Sequence, residues 1–254
     1  SIISVNNITG AVLKVEKLAR FVKEIQQRVV FHTDGVQAFG KTSLPVAPSS
    51  VDLVSISAHK ICGPKGIGAL VVLNPKLLER GQQPSIRPLI FGGDQEGGLR
   101  AGTQNAGLIS GFHLATKMAL SASKDSNEHV CKLKERLKTL LTTGKNSGRF
   151  RWNSPESAVP HIISLAVPGI PAAPLARLLE EQGFIVSTGS ACQSSRAKPE
   201  ATLVAMGLPS DVCSTSIRIS LSMSNSPDEV DKLVSAIEEV SERLRCLRQG
   251  GSAR

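Results

Sequence analysis

The sequence is poor in aromatic residues: its 254 residues include seven Phe, one Trp and no Tyr. Proteins that bind single-stranded nucleic acids combine a positive groove with aromatic side chains on which bases stack. The formal net charge of +9 supplies positive charge, but the basic residues are interspersed with acidic ones. We therefore expect no nucleic-acid partner, and we attribute the charge to solvated faces and to attraction of acidic partners.

Long apolar runs and regular cysteine spacings are also missing. No apolar run approaches the roughly 20 residues that a membrane-spanning helix needs, so no membrane segment is expected. The five cysteines form no Cys-x-x-Cys pair and no cluster with histidine, which predicts neither a zinc site nor a disulfide framework. With 41% apolar residues, the chain can build one substantial domain or two modest ones.

The most informative segment is a predicted strand, Leu53–Ser57, that runs into Ala58-His59-Lys60 and then into a turn rich in glycine. A lysine amine forms a Schiff base only if its pKa is lowered or its geometry is fixed, and the end of a buried strand favours both. Lys60 is therefore a candidate for covalent chemistry with a carbonyl group. Taken alone, the cluster also fits a surface lysine in a polar loop.

A second candidate precedes it in the chain. The predicted strand Val29–Thr33 leads to Asp34, and a turn with Gln37 follows. Sheets of α/β proteins present ligand-facing groups at the carboxyl ends of their strands. A carboxylate there can keep the pyridine nitrogen of pyridoxal phosphate protonated, which is one possible role of Asp34. The alternative role of Asp34 is to cap a helix. The order of the two motifs favours the cofactor role.

Six short motifs occur in a fixed order between residues 6 and 220. They are Asn6-Asn7-Ile8-Thr9-Gly10; His32-Thr33-Asp34 through Gln37; Ser57-Ala58-His59-Lys60; Gly92-Gly93-Asp94-Gln95-Glu96 with Leu99-Arg100-Ala101-Gly102-Thr103; Ser187-Thr188-Gly189-Ser190-Ala191-Cys192; and Ser216-Ile217-Arg218-Ile219-Ser220. In this order they resemble the motifs of cysteine desulfurases, the NifS-type branch of the class V aminotransferase-fold pyridoxal phosphate enzymes. Each motif is weak alone, and their order makes the resemblance specific.

The resemblance implies a role for each matched residue. Lys60 forms the Schiff base with pyridoxal phosphate and later moves protons at the substrate α carbon, while Asp34 pairs with the pyridine nitrogen. Arg218 holds the amino-acid carboxylate through its planar, two-pronged donor geometry. The other implied contacts are Asn7 and Gln37 to the ring hydroxyl, Asn7 also to the substrate, Ser57 and His59 to the phosphate, and Thr103 to the phosphate of the neighbouring subunit in a homodimer.

Cys192 is the reactive cysteine that the resemblance implies. It is flanked by Gly and Ser, and the polar, cationic segment 193–199 follows it, which favours an accessible thiolate. Its motif resembles the long-loop group of the family, group I. Cys62 is the competitor because it lies two residues from Lys60, but we expect it to be a small packed residue. The remaining cysteines, expected to be inert, are Cys131, Cys213 and Cys246.

The implied reaction converts L-cysteine to L-alanine and leaves a persulfide on Cys192. A sulfur-acceptor or scaffold protein then takes the sulfur for iron–sulfur clusters or thio-cofactors, in the cytoplasm or the mitochondrial matrix. Selenocysteine lyase activity is one alternative. Another is a catalytically incomplete fragment that acts as a dimerisation or scaffold module.

Departures from the family pattern indicate that the chain is a fragment or that another chain completes it. The chain begins at Ser1, and the family's N-terminal portion, with a phosphate-binding threonine and a histidine stacked on the cofactor, has no match in it. We therefore expect the chain alone to bind pyridoxal phosphate poorly. The smaller departures are Ile8 for an acid, Asp94 for a glycine and Gly97 for an arginine.

The segment pattern predicts an α/β protein, and the resemblance implies the C-terminal part of the pyridoxal phosphate-dependent aminotransferase fold. Residues 1–122 are expected to form the remainder of a large cofactor-binding domain with a mostly parallel sheet. Residues 123–254 are expected to form a small α/β domain that carries the Cys192 loop. The further predicted strands are Ile2–Val5, Ala69–Leu73, Ile162–Val167, Phe184–Ser187 and Ile217–Leu221. The predicted helices are Val15–Gln27, about 107–141, Ala173–Glu181 and Ala201–Met206. A last predicted helix begins at Pro227, within the capping box Ser226–Glu229.

Overall fold

A computed structural model describes residues 1–79, 81, 84–188 and 201–251. The chain divides into two compact units, and each has its own sheet and its own hydrophobic core. The first unit contains residues 1–6 and 12–124, and the second contains residues 7–11 and 125–254. Within the described ranges, no helix combines the length and the apolar character that crossing a bilayer requires.

The first unit contains a four-stranded sheet in the order β1–β2–β3–β4. The strands are β1 (Ile2–Ile3), β2 (His32–Asp34), β3 (Leu53–Ser57) and β4 (Gly68–Val72). The first three are parallel, and β4 runs antiparallel to β3, which confirms the mostly parallel sheet. Because the parallel strands share a direction, their carboxyl ends lie at one edge of the sheet, where β4 begins.

Helix α1 (Val15–Ile25) packs on this sheet through an apolar stripe. Val15 and Ala19 are buried in one cluster with residues of the sheet, and the opposite face of the helix is charged. The buried Asp52 carboxylate joins the helix to the strands, because it accepts hydrogen bonds from Lys23 Nζ and from the backbone N–H of Phe31, both at 2.7 Å. A buried carboxylate needs such partners, since burying a charge alone is costly.

Helix α2 (Ala106–Thr142) is 37 residues long and contributes to both units. Residues up to 124 belong to the first unit, and residues from 125 belong to the second. In the first unit, Phe112 of this helix meets Phe39 edge to face, with the ring centroids 6.2 Å apart. This part of α2 therefore packs beside the turn that follows β2.

The second unit contains a three-stranded antiparallel sheet in the order β5–β6–β7. The strands are β5 (Arg151–Trp152), β6 (Ile162–Ala166) and β7 (Ser216–Ser220), and the helices are α3 (Ala172–Glu181), α4 (Ala201–Ala205), α5 (Ser210–Ser214) and α6 (Pro227–Gly251). Leu137 of α2, Leu175 of α3 and Ile237 of α6 are fully buried in the same core. Each such side chain contributes roughly 1.5–3 kcal/mol through burial.

The capping box at the start of α6 is present as predicted. The Ser226 N–H donates to Glu229 Oε2 at 2.7 Å, and the Glu229 N–H donates to Ser226 Oγ at 3.2 Å. The two bonds satisfy donors that the first helical turn leaves without partners.

The predicted strand Phe184–Ser187 is wrong. Only Ser187 pairs with β7, in an isolated bridge to Arg218. The segment begins at the end of α3, where the Phe184 N–H donates to the Leu179 carbonyl at 2.9 Å. This donor terminates the helix instead of pairing with a strand, and Gly183 provides the positive φ of 87° that such a termination needs.

Candidate active site

The carboxyl ends of β2 and β3 bring the predicted cofactor residues of the first unit to one edge of the sheet. Asp34 is the last residue of β2 and lies beside Ser55 of β3. Ser57 is the last residue of β3, and the 3₁₀ turn that follows it, 58–61, contains Lys60. This edge is where open α/β sheets bind ligands.

The turn that contains Lys60 is held in place by buried side chains and by a backbone hydrogen bond. Its residues Ala58 and Ile61 are buried, and the Gly63 N–H donates to the Ala58 carbonyl at 2.9 Å. The Lys60 side chain is half-buried and makes no hydrogen bond or ion pair with any residue that the structure describes. Its amine is thus held on a fixed backbone and is available to react.

Glycine 63 allows α2 to approach this turn closely. A Cβ at Gly63 would lie 2.9 Å from the Ala58 carbonyl oxygen and 3.0 Å from Cβ of Ala115 in α2. A methyl group there would push the turn and the helix apart. The glycine that follows the lysine motif is therefore a packing requirement of the turn.

Replacing Gly63 with alanine should lower the free energy of unfolding by about 1–3 kcal/mol, because overpacking forces the backbone to shift. Urea unfolding of the 254-residue chain measures this change. Gly107→Ala is the matched control, since a Cβ there meets only Asn105 at an ordinary 3.6 Å. If the two variants unfolded at the same urea concentration, the close approach at Gly63 would be incorrect.

Only one oxygen of the Asp34 carboxylate accepts a hydrogen bond from the described residues. Its Oδ1 accepts a hydrogen bond from the Val36 N–H at 2.9 Å and so closes the turn after β2. Asp34 therefore does cap a backbone N–H, as the alternative prediction held, but the capped element is a turn and not a helix. Its Oδ2 has no hydrogen-bond partner in the described ranges. The Gln37 amide likewise makes no hydrogen bond to the described residues. Both groups can therefore bind a ligand at the sheet edge.

Ser57 and His59, the predicted phosphate ligands, contact each other. Ser57 Oγ and His59 Nδ1 are 2.7 Å apart. The contact orients the exposed imidazole and leaves its Nε2 for another partner. A hydroxyl and an imidazole held side by side are donors that suit an anion.

Lys41, which the sequence did not single out, lies close to the lysine turn. Burial lowers the pKa of Lys41, and the nearby Lys60 ammonium lowers it further, while the Cys62 thiol opposes this effect. Burial also lowers the pKa of His32, as does the positive charge of the chain's first residue, whereas the Asp34 carboxylate raises it. Two lysines near each other make this edge attractive to an anionic ligand.

The prediction that Cys62 is a packed residue is wrong. Its side chain is exposed, and its backbone ends the 3₁₀ turn in the left-handed region at φ 62°. The buried positions of the turn are Ala58 and Ile61, so Cys62 is left on the surface. Cys213 is buried, and Cys131 and Cys246 are exposed. Cys192 lies outside the described residues.

Arg218 and Asn7, the predicted substrate residues, are in contact in the second unit. Arg218 Nη1 donates to the Asn7 carbonyl at 3.0 Å, and Nη2 donates to Ser187 Oγ at 2.9 Å. The guanidinium is therefore bound at both of its terminal nitrogens, and Asn7 takes part through its backbone.

The turn around Asn7 is attached to the second sheet by Gly10. The Val159 N–H donates to the Gly10 carbonyl at 2.9 Å, and a Cβ at Gly10 would lie 2.8 Å from the Ile162 carbonyl oxygen. Gly10 also has a φ of 73°, which other residues rarely adopt. These contacts place residues 7–11 in the second unit, a position that their place in the sequence does not indicate.

Thr103, the predicted intersubunit residue, is exposed in the first unit. It follows Gly102, whose N–H donates to Gln95 Oε1 at 3.0 Å. Its contact with a neighbouring subunit stays a prediction. In the part of the chain that the structure describes, no three His, Cys, Asp or Glu residues are placed to hold a metal ion.

The structure thus defines an α/β protein with a mostly parallel sheet, and it places Asp34, Lys60 and the Ser57–His59 pair at the carboxyl ends of two of its parallel strands. Residues 1–233 match the aminotransferase class-V family, and the chain belongs to this family.

Named relatives make the comparison more specific. The chain is 35% identical over 246 residues to cysteine desulfurase IscS of Methanosarcina thermophila, a match that covers 96% of this chain and 58% of the relative. Among solved structures, a NifS-like protein matches with a TM-score of 0.82 and 34% identity, over 95% of this chain and 60% of the other. SspA in complex with cysteine matches with a TM-score of 0.67 and 31% identity, over 86% of this chain and 57% of the other. The chain thus spans about 60% of the length of these relatives.

Proposed function

We propose that the chain provides most of the active site of a pyridoxal phosphate-dependent cysteine desulfurase. The observation that carries the proposal is Lys60, a lysine without a partner among the described residues, held on a fixed turn at the same sheet edge as the partly unpaired Asp34. The similarity to cysteine desulfurase IscS supports this reaction, and the complex of SspA with cysteine supports L-cysteine as substrate.

The groups at the sheet edge suit pyridoxal phosphate in their chemistry. Lys60 offers an amine for its carbonyl group, and Asp34 Oδ2 offers an acceptor for its pyridine N–H. Ser57 and His59 offer donors for its phosphate, and Gln37 offers an amide for its ring hydroxyl. When bound, pyridoxal phosphate stabilises the negative charge that develops at the substrate α carbon.

The protein's own groups supply the remaining steps. The Lys60 amine takes the proton from the substrate α carbon, since an amine on a fixed turn can act as a positioned base. Arg218 binds the substrate carboxylate. The Cys192 thiolate attacks the substrate sulfur, and the carbon–sulfur bond breaks with its electron pair going to carbon. Protonation of that carbon, together with return of a proton from the Lys60 amine to the α carbon, gives alanine, and the sulfur stays on Cys192 as a persulfide.

Partners and compartment belong to the same proposal. An acceptor or scaffold protein takes the sulfur from Cys192, and the exposed Thr103 contacts a second copy of the chain in a homodimer. The reaction needs a reduced thiol, which favours the cytoplasm or the mitochondrial matrix.

The test is alanine formation from L-cysteine, compared between the wild type and Arg218→Lys. The substitution should raise KM by about 10- to 100-fold, because a lysine cannot reproduce two-pronged binding of a carboxylate. Assays use the 254-residue chain with pyridoxal phosphate, and the same chain joined to the portion of an IscS relative that it does not span. Release of alanine from selenocysteine in the same assays compares the two substrates.

Arg177→Lys is the matched control, because Arg177 lies exposed on α3 and, among the described residues, pairs only with Glu181, at 3.8 Å. It should leave KM unchanged. The absence of alanine from both wild-type samples would refute the desulfurase proposal, and an unchanged KM in Arg218→Lys would refute the role of Arg218.

A further inference from the structure

Ser187 makes three hydrogen bonds with Arg218. The Ser187 N–H donates to the Arg218 carbonyl at 3.0 Å, and the Arg218 N–H donates to the Ser187 carbonyl at 2.7 Å. Arg218 Nη2 donates to Ser187 Oγ at 2.9 Å. The two residues therefore lie directly opposite each other, and the backbone pairing brings the hydroxyl next to the guanidinium.

Ser187 and Asn7 each hold one end of that guanidinium. Nη1 donates to the Asn7 carbonyl and Nη2 donates to Ser187 Oγ, so each terminal nitrogen has its own acceptor. Acceptors on both terminal nitrogens restrict the rotation of a guanidinium more than an acceptor on one of them does. A carboxylate bound by two prongs requires a fixed plane.

We propose that Ser187 is a positioning residue, whose hydroxyl holds Arg218 in the orientation that binds the substrate carboxylate. The inference rests on the proposed function, because it takes Arg218 as the carboxylate ligand. The Asn7 carbonyl belongs to the backbone, so it is present whatever the side chain. The Ser187 hydroxyl is the acceptor that a substitution can remove while the backbone pairing stays in place.

The first readout is independent of turnover. In nitrogen-15 NMR of the 254-residue chain, the Nη groups of Arg218 should rotate slowly in the wild type and several-fold faster in Ser187→Ala. Ser187→Thr keeps a hydroxyl and should restore slow rotation. Ser220→Ala is the matched control, because Ser220 lies on the same face of β7 as Arg218. The Ser220 hydroxyl makes no hydrogen bond with the described residues, so the Nη groups of Arg218 should rotate as slowly in this variant as in the wild type.

The second readout is binding of L-alanine, which carries the carboxylate but no sulfur. Ser187→Ala should bind L-alanine about tenfold more weakly, because one hydrogen bond from a charged group is lost. In the turnover assay, the same variant should raise KM for L-cysteine about tenfold and change kcat by less than about threefold, because the hydroxyl acts before chemistry. Ser187→Thr should recover both values.

The outcomes separate this inference from the proposed function. If the wild type formed no alanine from L-cysteine, the desulfurase proposal would fail, whereas the rotation and L-alanine measurements would still decide the role of Ser187. Unchanged rotation or unchanged L-alanine affinity in Ser187→Ala would overturn the inference. A Ser187→Thr variant that behaved like Ser187→Ala would also overturn the inference, because a steric change at position 187, and not the loss of the hydroxyl, would then explain the effects of both substitutions.

Discussion

Replacing Lys60 with alanine should abolish covalent attachment of pyridoxal phosphate and reduce alanine formation by about 10⁴-fold, because the same amine binds the carbonyl and moves the substrate proton. Attachment is measured by borohydride reduction, which fixes the cofactor to the amine that holds it, followed by peptide mass spectrometry. In the wild type, the label should lie on the peptide that contains Lys60.

Lys65→Ala is the control for this prediction. Lys65 lies in the same glycine-containing loop, and its side chain is exposed. Its removal should leave both the label and turnover as in the wild type. A label on the same peptide of Lys60→Ala would show that another group binds the cofactor, and the assignment of Lys60 would be wrong.

Replacing Cys192 with serine should abolish persulfide formation while leaving cofactor attachment intact. The two properties separate because, in the proposed function, Lys60 and Asp34 bind the cofactor, whereas the Cys192 thiolate attacks the substrate sulfur. After treatment with L-cysteine, mass spectrometry should find one extra sulfur atom on the wild-type peptide that contains Cys192. No peptide of Cys192→Ser should carry it.

Cys62→Ser is the necessary control, because Cys62 is exposed and lies two residues from Lys60. This variant should form the persulfide at the wild-type level. An extra sulfur on the Cys62 peptide, or its loss in Cys62→Ser, would transfer the sulfur-accepting role from Cys192 to Cys62.

Elements with local signals could be predicted from the sequence. The strand Leu53–Ser57 has the predicted bounds, and α2 extends one residue beyond the prediction at each end. The start of α6 at Pro227 follows from a capping box whose two partners are three residues apart. Such interactions join residues that are close together in the sequence, so the sequence alone is enough to predict them.

Features that depend on distant contacts could not be predicted. Nothing in residues 7–11 shows that Gly10 pairs with Val159, which is 149 residues later (159 − 10). The burial of Lys41 near Lys60, and the contact between Ser187 and Arg218, likewise depend on how separate segments come together. The wrong strand at Phe184–Ser187 has the same origin, because the Phe184 N–H terminates α3.

The bridge between Ser187 and Arg218 sets a geometric limit on the proposed sulfur transfer from Cys192. Cys192 follows the bridged residue by five positions (192 − 187). A fully extended chain spans at most about 3.6 Å per residue, so the Cα of Cys192 cannot move beyond roughly 18 Å from that of Ser187. In the proposed function, a protein that receives sulfur must reach a thiol whose Cα lies inside this radius, so the number of residues between Ser187 and Cys192 limits where such a protein can dock.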